Sequence, residues 1–332
     1  MLAYHQCAST TVHILVKDAT RHPKSVRSWG YFVTNQANHS PHVVTAGNRI
    51  LHGEYHLHSA FPRARNFFCN EALVSLVSSE IGPAGFHVVW NSETLPMPQC
   101  EIVKVSSHGI SLDDFFIPHS KIVFFESEWR CEEYIHWHKN KAQHIAQLLP
   151  LSGFSFLIKT SSHQSFSCFE KQVEEAAHRA LNFFYDGNLE QCVRSMRGLG
   201  SGLTPSGDDF LCGMLAAYTI LENSINNNKE ALPFPNPFPP SQKAILKHEI
   251  ALKRETILKN ALGTNMLSNA FLHAAANGVF SVRQLHFFNA CLQHTTENNL
   301  CTAVANLVAI GATSGTDFAV GFLQTMEREN AT

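Results

Sequence analysis

Charge is scarce in this chain. Lys and Arg number 25 and Asp and Glu 27 in 332 residues, a formal net charge of −2. No basic stripe stands out, so a nucleic-acid partner has little electrostatic basis. No uncharged apolar run reaches the roughly 18 residues that a membrane-spanning helix needs, so no membrane association is expected. The first residues lack a charged stretch followed by an apolar one, which argues against a secretory leader. The nine Cys include no C-x-x-C pair. Scattered thiols in a chain this long fit a reducing compartment better than a disulfide framework, and the cytoplasm is the expected location. A Walker A motif is absent. Gly198-x-Gly200-x-Gly202 has the wrong spacing for a dinucleotide fingerprint, and the residues before it read as helix rather than strand. No cofactor is therefore assigned, and no metal set is assigned to the site.

What is present is apolar bulk: 44% apolar residues, 24 of them Phe. The first half favours strands. Short β-rich runs recur between turn signals at Thr11–Val16, Gly30–Thr34, His42–Thr45, Gly85–Trp90, Glu101–Val105, Lys121–Phe125 and Phe154–Ile158. Helices are expected near Asn70–Ser79 and within Glu132–Leu149. The second half favours helices. Val173, Ala176, Ala177, Ala180, Leu181 and Phe184 follow the spacing of one buried helical face. Further helices are expected at Leu189–Met196, Asp208–Leu221, Gln242–Ala261, Met266–Ala276, Val282–His294, Leu300–Ala309 and Asp317–Glu327. The segment Asn223–Ser241, rich in Asn and Pro, reads as an exposed, mobile insertion. The fold class is thus α+β: a β-rich domain over 1–160, a mostly antiparallel barrel or sandwich, then a helical domain over 161–332.

The chemistry concentrates in two related segments. Residues 198–217 read GLGSGLTPSGDDFLCGMLAA, and residues 311–323 repeat the core as GATSGTDFAVGFL. Each has Ser-Gly, then Asp-Phe, two residues, and Gly. Asp209 and Asp317, the matching aspartates, are 108 residues apart, too far for a solenoid unit. Both Ser206-x-x-Asp209 and Ser314-x-x-Asp317 match a helix capping box. The first copy has more glycine than a cap needs. Glycine-rich turns that open into a helix offer backbone N–H groups to phosphate or carboxylate. Two such loops suggest one composite anion pocket. Arg197 stands just before the first loop, either as an oxyanion clamp or as a solvated helix-end charge. Asp209 is the better cap, and Asp208, which has no counterpart in the second copy, is the better ligand-facing carboxylate. A third segment, Gly263–Ser268, also opens a helix, with Thr264 or Asn265 as its cap.

Other candidates carry bland readings. His52, Glu54, His56 and His58 could share a strand face and bind a metal, but chance clustering among 20 His explains them as well. Cys69, Cys192 and Cys212 read as ordinary thiols, Cys212 as a buried apolar one. Asp113-Asp114 reads as a turn.

The stretch G-x-G-x-G-L-T-P-S-G-D-D-F, with the later T-S-G-T-D, resembles a bacterial family long described as a domain of unknown function. One member has been loosely called a carboxylase, and that branch looks like a subunit of the oxamate carbamoyltransferase of anaerobic allantoin degradation. The resemblance covers most of residues 165–327 and extends weakly into the first half. It implies carbamoyl transfer between carbamoyl phosphate and oxamate, with companion subunits. The motif positions are Gly200, Gly202, Thr204, Ser206, Gly207, Asp208, Asp209, Thr313, Ser314, Gly315 and Asp317. On the chemistry of the residues, Asp208 and Arg197 take the catalytic roles and the rest bind substrate. The expectation is an enzyme or enzyme subunit that binds a small anionic metabolite and works with partner subunits or as a homo-oligomer. The alternative is a regulatory or assembly subunit that senses such a metabolite.

Overall fold

The computed structural model describes residues 43–92, 96–130, 137, 139–159, 167–226, 240–263, 265–293 and 295–331. The expected strands at Thr11–Val16 and Gly30–Thr34 lie outside them. The chain is α+β, with the sheet first and most of the helices after it. The strands are β1 (Val43–Gly47), β2 (Gly53–Phe61), β3 (Ala64–Cys69), β4 (Ala72–Ser78), β5 (His87–Trp90), β6 (Ile102–Ser106), β7 (Gly109–Leu112), β8 (Phe115–Pro118) and β9 (Val123–Phe125). They form one curled sheet in the order β8-β7-β6-β2-β3-β4-β5-β1-β9. Neighbours run antiparallel except β4–β5 and β1–β9.

The helices are α1 (Lys139–Leu148), α2 (Cys168–Tyr185), α3 (Leu189–Met196), α4 (Ser206–Asn226), α5 (Pro240–Ala261), α6 (Met266–Ala276), α7 (Val282–Leu292), α8 (Glu297–Val308) and α9 (Ser314–Ala331). A capping box of Ser167 and Glu170 starts α2, and Ala177, Ala180, Leu181 and Phe184 form its buried face. Helix α4 is buried along most of its length, as a helix apolar on all sides must be. It is packed by α3, α5, α6 and α9. Their core extends back to Trp129, Ile145 and Phe154, so α1 and the short 3-10 turn at Gly153–Leu157 pack with the C-terminal helices.

One face of the sheet is covered by its own core, including Tyr55, Phe67, Val74, Val88 and Val103. Strand alternation sends the neighbours of Phe67 and Val74 the other way. Phe68 and Leu73, paired across β3 and β4, meet Leu267 of α6. Phe86 stacks near Phe271, also of α6, with ring centroids 5.7 Å apart. Helix α6 is therefore held between the sheet and α4.

Several expectations are corrected. The helix expected at Asn70–Ser79 is a turn followed by β4. Six of the seven β4 residues are fully buried, so no alternating pattern marks the strand. The strand expected at Phe154–Ile158 is instead the 3-10 turn. Gly153 enters it at φ +53, and the Asp317 carboxylate accepts the Phe154 amide at 2.6 Å. The two ends of the insertion expected at 223–241 are helical, because α4 continues to Asn226 and α5 begins at Pro240; residues 227–239 lie outside the described ones. Pro at a first helical position loses no hydrogen bond.

Candidate functional site

The first loop, residues 197–205, joins α3 to α4. Gly198, Gly200 and Gly202 all have φ between +70 and +112, a region that side-chain-bearing residues rarely enter. These glycines fold the loop back on itself. The Gly198 amide donates to Asp208 Oδ1 at 2.7 Å, and the Gly207 amide donates to the Leu199 carbonyl at 2.8 Å. Gly207 also lies against the end of α3, since a Cβ there would come 1.8 Å from the Met196 carbonyl oxygen.

The second copy repeats this packing. A Cβ on Gly315 would come 2.0 Å from the Leu307 carbonyl oxygen of α8. The α3–loop–α4 unit thus recurs as α8–loop–α9, and the two units interlock. Gly213 of α4 lies against the Phe318 carbonyl, and Gly321 of α9 lies against the Phe210 carbonyl. The shared D-F-x-x-G string is the sequence of this reciprocal crossing, where a missing side chain on each helix admits the other backbone.

The polar residues are exchanged as well. Ser206 and Ser314 are the first residues of their helices, so neither forms the expected capping box. The Asp209 amide donates to the Pro205 carbonyl, and the Asp317 amide donates to that of Thr313. The Asp209 carboxylate instead interacts with Ser314 of the other copy and accepts from Thr204 Oγ1 at 3.1 Å. Asp317 faces Ser206 and Thr313, while its Oδ1 holds the Phe154 amide. Its Oδ2 is buried, and no donor completes a hydrogen bond to it. Thr204 and Ser314 hydroxyls, 3.4 Å apart, close the seam. Burial, with like charge from Asp317 and Asp208 added, pushes the Asp209 carboxyl up to about 8. Burial also raises Asp317 to about 6, against the hydrogen bonds that hold it down.

A cleft of about 410 Å³ opens beside the first loop, between it and the start of α6. Its lining includes Arg197, Gly198, Asp208, Asn265, Ser268 and Asn269. Asn265 builds the far wall. Its Oδ1 caps α6 by accepting from the Leu267 and Ser268 amides, and its Nδ2 donates to the Leu203 carbonyl at 2.6 Å. Asn269 is doubly bonded to the Gly263 backbone. Ser268 is 2% exposed, and its hydroxyl has no hydrogen-bond partner. Arg197 donates to the Leu262 carbonyl at 3.2 Å, and among the described residues no carboxylate pairs with it. The cleft is therefore lined by an arginine and a buried aspartate, with an unsatisfied hydroxyl buried in its wall.

Residues 196–326 match the family described as oxamate carbamoyltransferase subunit AllH. This is the family that the loop sequence resembles. The AllH match begins at the last residue of α3 and ends inside α9, so it contains both loops and every residue lining the cleft. The sheet lies outside it. No curated protein and no solved structure matches the chain.

The matched segment brings Arg197 and Asp208 to one cleft. Thr204, Ser206, Asp209, Thr313, Ser314, Gly315 and Asp317 gather at the seam between the copies, where the two loops touch directly. Gly200, Gly202 and Gly207 shape the first loop. Ser268 and Asn269 escape sequence reading, although the helix start at Gly263–Ser268 was its signal. The other candidates behave as ordinary residues. His56 lies 3.7 Å from Glu54 on the exposed face of β2, and His58 packs edge-on to Phe68. Cys192 and Cys212 are buried, which pushes both thiols up. Asp113 sits in a turn at φ +47 and accepts from the Ile102 amide. Among the described residues, no helix is long and apolar enough to cross a membrane.

Proposed function

We propose that this chain is a subunit in carbamoyl transfer between carbamoyl phosphate and oxamate, in allantoin nitrogen catabolism. Its cleft between the first loop and α6 binds the small anionic metabolite. One observation carries the reading: the matched segment contains a cleft lined by a buried aspartate and by an arginine that pairs with no carboxylate among the described residues. Arg197 offers a fork of N–H donors to a carboxylate or phosphate. Asp208 offers an acceptor to an N–H group. A bare anion would meet the negative charge of Asp208, so the pairing favours a ligand with an anionic oxygen group next to an amide. Oxamate has that shape.

In the transfer, the oxamate amide nitrogen attacks the carbamoyl carbon, a C–N bond forms, and the C–O bond to phosphate breaks. Asp208 orients the attacking N–H and receives its proton, while Arg197 holds the carboxylate in place. The family description as a subunit supports partner chains that complete the reaction.

The test is thermal unfolding of the purified chain with oxamate, carbamoyl phosphate or inorganic phosphate, followed by assay with partners recovered from native extract. Ligands that bind only the folded state raise the melting temperature by mass action. Oxamate should raise it more than phosphate does, and Arg197→Met should abolish the shift. An oxamate shift that survives both Arg197→Met and Asp208→Asn would place the site elsewhere.

A further inference from the structure

We propose that His144, Glu297 and Cys301 bind a divalent first-row cation, zinc by their donor set, where α1 meets α8. Glu297 opens α8 and Cys301 lies one turn on, so both project from one face. His144 reaches them from α1. One ligand atom from each residue lies within 4.8 Å of the other two. The Cys301 thiol donates to Glu297 Oε1 at 3.6 Å, and the same carboxylate lies against His144 Nε2. That nitrogen is buried, yet no hydrogen bond of sound geometry satisfies it.

Bond lengths of about 2.0–2.3 Å put the ligands of a tetrahedral zinc roughly 3.4–3.6 Å apart. Small side-chain rotations that part His144 from Glu297 and draw Cys301 toward His144 would bring the three to that spacing. Magnesium and calcium take oxygen ligands, whereas an N, O, S set suits zinc. The Glu297 side chain is 63% exposed, which leaves solvent a path to a fourth position. On binding, the thiol loses its proton to solvent and a sulfur–metal bond forms. The ion would tie α1 to α8, the helix that runs into the second loop. This proposal is independent of the cleft and of carbamoyl transfer.

The experiment uses the full chain, stripped with a chelator. Zinc binding is followed by calorimetry in two buffers of different ionisation enthalpy, and cobalt binding by absorption. The expected result is one bound ion per chain, proton release, and a thiolate-to-cobalt charge-transfer band. Cys301→Ser should remove that band, and both Cys301→Ser and His144→Ala should weaken zinc binding by at least about tenfold. Glu297→Gln, an exposed isosteric change, serves if either of these fails to fold by circular dichroism. Absence of stoichiometric zinc binding overturns the proposal, as does binding that folded variants leave unchanged.

Discussion

Gly213 stands so close to Phe318 that a Cβ would come 2.1 Å from the Phe318 carbonyl oxygen. Its mirror contact, Gly321 on Phe210, leaves 2.0 Å. Neither backbone can yield without moving a helix. Gly213→Ala and Gly321→Ala should each destabilise the fold by about 1–3 kcal/mol, the usual cost of overpacking. The double variant should lose less than the sum, because the first substitution already parts the helices. Denaturant unfolding measures all three; a single variant as stable as the parent would refute the crossing.

The two buried carboxyls give stability a pH signature. Folding raises Asp209 to about 8 and Asp317 to about 6, from an ordinary value of 3.8. The folded state therefore binds these protons more tightly. Their stabilisation is complete below about pH 4 and is lost as pH rises, through about 6 for Asp317 and about 8 for Asp209. His87 acts oppositely: burial lowers it to about 4, so its effect favours the folded state as pH rises from 4 to 6.5. Between pH 6.5 and 8 the Asp209 trend stands clear. Asp209→Asn should flatten the decline in that window, whereas Asp317→Asn, which removes a like charge beside Asp209, should keep the decline but move it to lower pH. Unfolding free energies measured every half unit would show this.

Ser268 predicts an unusual pair of effects. Its hydroxyl is buried and unsatisfied, so Ser268→Ala should leave the empty protein as stable as before or up to about 1 kcal/mol more stable. If the hydroxyl faces the ligand, the same change should weaken oxamate binding several-fold, since a hydrogen bond contributes about 1 kcal/mol. Calorimetry alongside unfolding separates the two. Unchanged affinity in the variant would remove Ser268 from the ligand's contacts.

Asn265 joins the first loop to α6 through one amide. Asn265→Ala should cost about 0.5–2 kcal/mol for the lost cap. It should also free Leu203, which is already exposed. Limited proteolysis should then cut sooner within residues 199–204. Equal cutting rates would mean the loop is held by other contacts.

Arg197→Lys should bind oxamate more weakly than the parent but better than Arg197→Met, because lysine keeps the charge and loses the fork. Arg197 is exposed and, among the described residues, hydrogen-bonds to a backbone carbonyl alone, so stability should change by no more than about 0.5 kcal/mol. Titration at two salt concentrations would check the ranking.

Local signals were legible where a helix announces itself. Asn265 and Gly263 mark the start of α6, and the Ala177–Phe184 stripe marks α2. Strand β4 was not legible, because burial on both faces erases alternation. Strand β2 showed only through Glu54, His56 and His58, which alternate onto its exposed face, and β3, β7 and β8 gave no run between turn signals that reads as a strand. The repeated loop was visible as a motif, but its contacts were not. Ser206 and Asp209 look like a local pair, yet their partners are Asp317 and Ser314, more than a hundred residues away. Asp317 reaches farther still, to the amide of Phe154. Such exchange depends on the crossing of α4 and α9, which no short window of sequence contains.

That exchange sets the order in which the chain can become native. A lone α3–α4 hairpin would leave Asp209 and Gly213 without their complements, and a lone α8–α9 hairpin would strand Asp317 and Gly321. Each half is a template that only the other can fill. The helical region should therefore melt as one block, and its folding rate should be governed by closure of the long chain between the copies.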